Sequence, residues 1–314
     1  MPVEMKPATA PPGASISRGP SAMLAFAHDA DHILLDEQPN GPLFHYTDTS
    51  ALVQVVQHKK LWASDLRLMN DTMEIEHGMK LIRAAVKRRA PNVEALNLVR
   101  AALAHPNFAD GALFAISLSE DGDVLSQWRA YAADGAGYAV GFDSNSIQGL
   151  APEEWGVSIS RLCRVEYRRS TQRRLAEQLI DAAFRSVEPL AGRDPATVVP
   201  WVSMGFANVL LAFASVCKNA GFKEEQEWRL VYTYSQASFE SAVPSARPKS
   251  SFRAGRYGLT PYLTVPFPAS AITTITRGPK LGAHSEYVLR GLLAQYQVPN
   301  WSDMSLPPAR ASYR

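Results

Sequence analysis

The sequence predicts an α+β fold in which helices accompany a largely antiparallel or split sheet. The order of the predicted elements favours this class, and the length bears on the number of domains. Short β-rich segments mix with longer helical segments without the strict strand–helix–strand alternation of a parallel α/β protein. The length of 314 residues allows one large domain or two small ones, and no internal repeat divides the chain. We therefore expect a disordered leader over residues 1–40, one α+β domain over 41–300 and a loose tail over 301–314.

The composition is that of an ordinary soluble globular protein. Hydrophobic residues make up 46% of the chain and charged residues 20%, which is enough apolar material for a large core. No apolar run reaches 18 residues and the N-terminus lacks a signal-peptide pattern, so we expect no membrane span and a cytoplasmic location. Cys163 and Cys217 lie far apart and form no disulfide or metal pattern. A net charge of +2 is too small to indicate nucleic-acid binding by itself.

The first half of the chain predicts a strand followed by helices. The leader is rich in proline, which favours disorder with one short helix around residues 22–28. A strand is expected at 43–46, and residues 47–50 supply the N-cap of a short helix. An extended stretch and a turn follow. Two helices within 73–104 are then expected, because Ala-Pro-Asn at 90–92 offers a stop and a start.

The second half predicts more strands around two long helices. The predicted elements, in order, are a strand at 112–118, a short helix at 123–132, a strand at 137–142, a strand within GVSISRLCRVEY, helices at 171–190 and 199–219, a strand at EWRLVYTY, a loop at 238–252, strands at PYLTVPF and AITTITRG, and a helix at 283–297. Glycines at 137 and 141 indicate a bulge or a close backbone approach. The common phosphate, zinc and serine-hydrolase motifs are missing, so no metal site is predicted.

The stretch GFKEEQEWRLVY, residues 221–232, is the first candidate for chemistry. It places Glu224, Glu225 and Glu227 directly before a predicted buried strand. Alternate residues of a strand share a face, so Glu225, Glu227 and Arg229 are expected together. Two interpretations are open. The face is either solvent-exposed, with pairs that contribute only about a few tenths of a kcal/mol, or it lines a cleft where one carboxylate is available to a ligand.

Other stretches also embed polar groups in apolar segments. LFHYTD places His45 and Tyr46 on opposite faces of a strand, and SLSEDGDVLSQWRAYA carries Ser119, Arg129 and Tyr131. Strand histidines and aromatic residues at helical spacing are usually packing groups, so a structural role and a site role both stay open.

Together these stretches resemble a bacterial family of cytoplasmic proteins catalogued as a domain of unknown function. The resemblance runs through LFHYTD, LWASDLRLMNDTMEIEHG, SLSEDGDVLSQWRAYAADGAGYAVGFD, GFKEEQEWRLV and GRYGLTPYLTV with ITRGPKLG, and it covers roughly residues 42–298. That family is similar to ADP-ribosyltransferases, whose small split-sheet fold binds NAD. The resemblance implies one α+β domain with a split, mostly antiparallel sheet of the ADP-ribosyltransferase type plus helical insertions.

The resemblance also implies catalytic roles. His45 lies where the ribose-binding histidine of the diphtheria-toxin-like branch falls, and Glu225-Gln226-Glu227 matches the Glu-x-Glu of the arginine-modifying branch. Glu227 would stabilise the ribosyl cation through the 2-hydroxyl, while Glu225 orients or activates the acceptor. Tyr131 is the first candidate to stack on nicotinamide.

The same resemblance suggests a wider set of NAD-binding residues. Tyr138 and Tyr46 are alternatives to Tyr131 for the stacking role. His45 would donate to a ribose hydroxyl, and either Arg67 or Arg129 would neutralise the pyrophosphate. Two further residues complete the implied set: Ser119 and Arg229.

The function implied is an NAD-dependent ADP-ribosyltransferase or an NAD glycohydrolase, with NAD as substrate, no metal, and an unidentified protein or nucleic-acid acceptor. By analogy, such bacterial chains often serve as toxins, effectors or phage-defence components. Two alternatives remain: a non-catalytic module that binds a nucleotide or a partner, and a nucleic-acid binder. The last is based on six arginines within RLCRVEYRRSTQRRL, at 161, 164, 168, 169, 173 and 174, which otherwise form a solvated edge.

Overall fold

The structure is a computed structural model. It describes residues 18–35, 37–68, 72–89, 93–105, 108, 112–153, 159–234, 250–255 and 258–311. The strands are β1 Leu43–Thr47, β2 Lys60–Asp65, β3 Ala112–Ser119, β4 Tyr138–Phe142, β5 Ile159–Arg164, β6 Glu227–Tyr234, β7 Ser251–Gly255, β8 Gly258–Pro266 and β9 Ile272–Arg277. The helices are α1 Arg18–Leu34, α2 Thr49–His58, α3 Thr72–Arg88, α4 Val93–Ala104, α5 Leu125–Tyr131, α6 Ser144–Ile147, α7 Arg169–Val187, α8 Pro195–Ser215 and α9 Ser285–Gln295.

The fold is mixed α+β with a curled antiparallel sheet, which confirms the coarse prediction. The main path of the sheet runs β7-β8-β2-β3-β1-β4-β9, and β6 pairs with β3 and β5 off this path. Every strand-to-strand ladder is antiparallel among the described residues. The predicted strands at 43–46, 112–118, 137–142 and EWRLVYTY all form, and so do the two helices on either side of residues 90–92.

The sheet divides at β3. One edge of β3 pairs with β6 over all of residues 112–119. The opposite edge pairs with β2 at residues 114 and 115 and with β1 at Ser119. Strands β1 and β2 therefore lie along the same edge of β3 with a gap between them, and α2 connects the two strands across that gap.

Two apolar cores cover the sheet. The larger core joins α1, α3, α4, α7 and α8 and includes Ala115, Cys163 and Val231 from β3, β5 and β6. The second core packs α2 and α9 against the strands and includes Val56, Trp228 and Leu289. Of the described helices, α8 has the length and composition of a membrane span. Of its most apolar window, 61% is buried inside the protein, as in the core helix of a soluble protein.

Two glycines allow elements to approach closely. At Gly78 of α3, an added Cβ would lie 2.4 Å from the backbone Cα of Ala214 in α8. At Gly137, it would lie 2.3 Å from the carbonyl oxygen of Thr47. The close approach predicted at residue 137 is confirmed, and a register shift between Gly141 and Phe142 confirms the predicted bulge.

The leader was predicted to be disordered apart from one short helix around residues 22–28, and the structure instead has a longer helix, α1, over residues 18–34. Phe26 and Ala30 of this helix are fully buried in the larger core, and the Phe26 ring packs edge-on against Phe206 at 5.1 Å. Residues 1–17 lie outside the described part of the chain.

The predicted loose tail is also wrong over residues 301–311. Met304 and Leu306 are buried in the second core. The tail runs parallel to β9, with bridges from Ser305 to Thr274 and from Pro308 to Arg277. A further difference is β7, which starts inside the predicted loop at 238–252. Residues 238–249 of that loop lie outside the described residues.

Candidate functional site

A cavity of about 320 Å³ occupies the gap between β1 and β2. Its lining residues come from β1, α2, β2, β3, α5, the turn before β6, the start of β6 and β7. Four residues predicted to be catalytic line it: His45, Tyr131, Glu225 and Glu227. These residues come from three distant parts of the chain, and the fold brings them to one cavity.

His45 lies on β1 beside the edge of β3 that faces the gap. Its Nδ1 atom lies 3.0 Å from the carbonyl oxygen of Ser117, so Nδ1 carries the proton and donates to this carbonyl. Burial lowers the pKa of His45, the Ser117 hydrogen bond opposes this, and Arg253 lowers the pKa further. The ring is therefore neutral and leaves Nε2 as an acceptor. The sequence-based expectation that His45 donates to a ligand hydroxyl is reversed, because its proton is already committed to the backbone.

The two carboxylates lie at a tight turn. Residues Ala220–Glu225 form a 3₁₀ turn, and Gln226 then adopts a left-handed conformation with φ 45° and ψ 48°. This conformation costs a non-glycine residue on the order of 1 kcal/mol, and it turns the chain into β6. Ser119 Oγ holds the turn by donating to the carbonyl oxygen of Glu225 at 2.7 Å. Both carboxylates thus reach the cavity although only Glu227 belongs to the strand.

Two cations lie behind these carboxylates. Lys218 Nζ donates to Glu225 Oε2 at 2.6 Å and to Glu227 Oε2 at 2.9 Å. Arg229 donates to the same Glu227 group from Nε at 2.7 Å and from Nη2 at 2.9 Å. All four residues are buried. The carboxylates line the cavity and these two cations do not, so the carboxylate side of the cluster faces the cavity.

The cluster moves the two carboxyl pKa values in opposite directions. Burial raises the pKa of Glu227, but Arg229 and Lys218 more than offset this and hold it at about 2. Burial raises the pKa of Glu225, and Lys218, with a smaller effect of Arg229, compensates only in part because the neighbouring Glu227 charge also raises it. Glu227 is therefore a permanent anion, whereas Glu225 is the carboxyl that takes up a proton more readily.

The structure separates the three candidate stacking tyrosines. Tyr131, at the end of α5, lines the cavity and is 47% exposed. Tyr46 also touches the cavity, but its hydroxyl donates to the Asp121 carbonyl and accepts from the Val124 amide, both at 2.8 Å. Its ring packs edge-on against Trp128. Tyr138 is buried in the second core and does not line the cavity. Among the three, Tyr131 has the most exposed ring.

Strands β2 and β7 contribute an aromatic group and a cation to the cavity lining that the sequence analysis missed. Trp62 of β2 stacks on Tyr262 at 4.6 Å and is 38% exposed. The Arg253 guanidinium lies 6.0 Å from the Trp62 ring centroid and donates to Ser64 Oγ at 2.9 Å. Its Nε is buried and has no hydrogen-bond partner among the described residues. The alternating residues of SFRAG could have predicted a strand that contains Arg253. The preceding Ser/Pro/Arg-rich segment led instead to the prediction of a loop.

The remaining predicted binding residues do not line this cavity. Arg67 pairs with Asp65 at 2.8 Å, and Arg129 lies on the exposed side of α5. Ser119 and Arg229 support Glu225 and Glu227 from behind. Arg253 is therefore the arginine that faces the cavity, in place of Arg67 or Arg129.

The arginine-rich stretch is divided between pairs and exposed positions. Three of its six arginines pair with carboxylates: Arg161 with Asp31, Arg164 with Glu37 and Arg168 with Glu166. Arg161 is buried, so it does not reach a phosphate backbone. A second cavity, of about 780 Å³, lies beside this stretch. Three residues of the turn before β6 also line it: Lys223, Glu224 and Gln226. No group of three or more metal-binding side chains occurs within the described part of the chain.

Comparison with known proteins gives a match to a family of unknown function. A family model described as a protein of unknown function (DUF2971) matches residues 127–230, about a third of the chain. No curated protein and no solved structure matches the chain. The similarity to this family of unknown function therefore covers Tyr131, Lys218 and the Glu225–Glu227 turn, and leaves His45 and Arg253 outside the matched segment.

Proposed function

We propose that the cavity binds NAD and that the protein cleaves its nicotinamide–ribose bond, transferring ADP-ribose to a protein or nucleic-acid acceptor or to water. One observation carries the proposal. His45, Tyr131, Glu225 and Glu227, which are distant in the sequence, line a single cavity where the sheet divides. The resemblance of the sequence motifs to those of ADP-ribosyltransferases is the reason for assigning these residues to NAD cleavage.

The charge arrangement supports this chemistry. Breaking the bond sends its electron pair to nicotinamide and leaves positive charge on the ribose. A carboxylate that is ionised before the reaction stabilises this charge without reorganising. Glu227 meets the requirement because Arg229 and Lys218 keep its pKa at about 2. The acceptor oxygen or nitrogen then bonds to the ribose carbon, and its proton passes to Glu225 or to water.

Two groups of lining residues suit the two ends of a dinucleotide. Glu225, Glu227 and Tyr131 suit the cationic nicotinamide ring and its ribose, since anionic and aromatic groups both attract such a ring. The Arg253 guanidinium and the exposed Trp62 ring suit a phosphate group and a base. His45 Nε2, as an acceptor, would receive a hydrogen bond from a ribose hydroxyl.

The test is nicotinamide release from NAD, measured by chromatography with and without bacterial lysate or nucleic acid as acceptor. We expect Glu227→Gln to lower the rate by about 100-fold or more, because the amide keeps the shape and loses the charge. The matched control is Glu224→Gln, since Glu224 belongs to the same turn but lines the second cavity, and its activity should stay within about twofold of wild type. Absence of nicotinamide release by the wild type, with every acceptor, would remove the proposal.

A second candidate is a module that binds a nucleotide without catalysis. The observation that favours it is the engagement of Glu227, whose two oxygens already accept three hydrogen bonds from Arg229 and Lys218. Such a module would be stabilised by NAD in a thermal melt and would release no nicotinamide. Stabilisation together with NAD cleavage would exclude it.

A further inference from the structure

The backbone of Lys218 is held in place by hydrogen bonds to neighbouring segments. It follows α8, and its side chain is only 8% exposed. The backbone amide of Lys218 donates to the Glu166 carbonyl at 3.1 Å, and its own carbonyl accepts from Gln172 Nε2 at 2.8 Å. Gln172 is fully buried on α7 and is held in turn by His77 at 2.9 Å. Two helices thus fix the point from which the lysine side chain starts.

From this point the ammonium group meets both carboxylates at once. Nζ lies 2.6 Å from Glu225 Oε2 and 2.9 Å from Glu227 Oε2. Two carboxylates at one buried site repel each other, and an ammonium that contacts both offsets part of that repulsion. Arg229 contacts Glu227 through Nε and Nη2, and Lys218 joins the pair because its single Nζ contacts both carboxylates.

We propose that Lys218 is a positioning residue of the candidate site, which holds Glu225 and Glu227 side by side at the cavity wall through its single ammonium group. The inference deepens the proposed function and rests on it only where catalysis is measured. The arrangement of the pair is testable in the protein without ligand. Other groups also influence the Glu225 carboxyl and belong in any interpretation of its titration: Glu227, Arg229, Tyr131 and Tyr167.

The direct experiment is a ¹³C NMR titration of the glutamate carboxyl groups in the full chain, with the Glu225 signal assigned through Glu225→Gln. In Lys218→Met, which removes the charge and keeps the length, we expect the Glu225 midpoint to rise by about one pH unit or more. Lys218→Arg keeps the charge and should stay close to wild type. Lys223→Met is the matched control, because this lysine is exposed on the same turn and lines the second cavity.

A folded Lys218→Met with an unchanged Glu225 midpoint would overturn the proposal, and so would an equal shift in Lys218→Arg or Lys223→Met. If Lys218→Met does not fold, the test is the Glu225 titration midpoint in Lys218→Arg. A midpoint equal to that of the wild type supports the proposal, and a raised midpoint overturns it. The acid limb of nicotinamide release should rise with the Glu225 midpoint. If the midpoint responds while no variant cleaves NAD, the positioning role stands and the proposed function fails.

Discussion

Glu227 stays ionised in a buried position because two cations outweigh the cost of removing its charge from water. Burial by itself raises the pKa of this carboxyl, yet Arg229 and Lys218 bring it to about 2. A buried ion pair of this kind contributes little net stability compared with an apolar replacement, but loss of one partner leaves an uncompensated charge. The cluster is therefore sensitive to single substitutions and to acid.

The acid sensitivity gives a prediction at the residue scale. The folded pKa of Glu227, about 2, lies below the usual value of 4.5, so its stabilising effect is complete above pH 4.5 and is lost as pH falls toward 2. At 1.36 kcal/mol for each unit of pKa, the effect is on the order of 3 kcal/mol. We expect urea unfolding of the wild type to show this loss between pH 5 and about 2 and Glu227→Gln to show a flatter profile. Parallel profiles for the two proteins would contradict the assignment.

Sequence reasoning reached those site residues that lie in local motifs. His45 and Glu225-Gln226-Glu227 each form a short recognisable pattern, and alternation correctly placed Glu227 and Arg229 on one face. It missed Lys218 and Arg253, because each acquires its position through contacts with distant segments. Lys218 reaches the carboxylates only after the left-handed turn at Gln226 folds the chain back. The roles of these residues in catalysis stay predictions.

At the scale of elements, α5 and the C-terminal tail form one unit through Asp123. Asp123 Oδ1 accepts from the Trp128 indole at 2.8 Å, and Oδ2 accepts from the backbone amides of Arg310 at 2.6 Å and Ala311 at 3.1 Å. Trp128 is fully buried and packs on Tyr46. The tail therefore supports the helix that carries Tyr131 into the cavity.

We expect Asp123→Ala to lower the free energy of unfolding by about 1–3 kcal/mol, because the buried indole N–H loses its acceptor and the tail loses its anchor. Urea denaturation followed by tryptophan fluorescence measures the change. Asp303→Ala is the control, since Asp303 is exposed in the same tail and should change stability by less than about 0.5 kcal/mol. Equal stability of the Asp123 variant and the control would show that the tail is not anchored there.

The elements that sequence reasoning missed are those defined by tertiary contacts. The order within α1 and the tail comes from packing against distant segments: Phe26 against α8, and Leu306 against the second core. The elements with strong local patterns were predicted within a few residues, for example β6, whose bounds Glu227–Tyr234 match the prediction. The local sequence pattern determines whether a segment forms a helix or a strand. Where that pattern is weak, burial against distant segments determines whether the segment is ordered.

At the scale of the whole molecule, the segment matched by the DUF2971 family model is not a self-contained unit. Residues 127–230 contain β4, β5 and the first half of β6 but lack β3, which pairs with β6 along residues 112–119. They also lack β1, the partner of β4, and β9, its other neighbour. The edges of this segment would be open strands in isolation.

We therefore expect a fragment of residues 127–230 to show no cooperative unfolding transition, whereas the whole chain unfolds cooperatively. Circular dichroism during urea denaturation makes this comparison, with the full chain as the reference. A fragment with a sharp transition and native-like strand content would contradict the dependence on β3.

The division of the sheet at β3 has a mechanical consequence. Within the described residues, the arm that begins with β1 and the arm that begins with β2 are connected by β3 along one side and by α2 across the opening. A small change in the twist of β3 against β6 would move β1 and its neighbours relative to β2 and its neighbours. The strand pairing within each of these two groups would stay intact. The width of the opening between β1 and β2 can therefore change without breaking strand pairing, and a bound molecule that contacts both strands would fix this width.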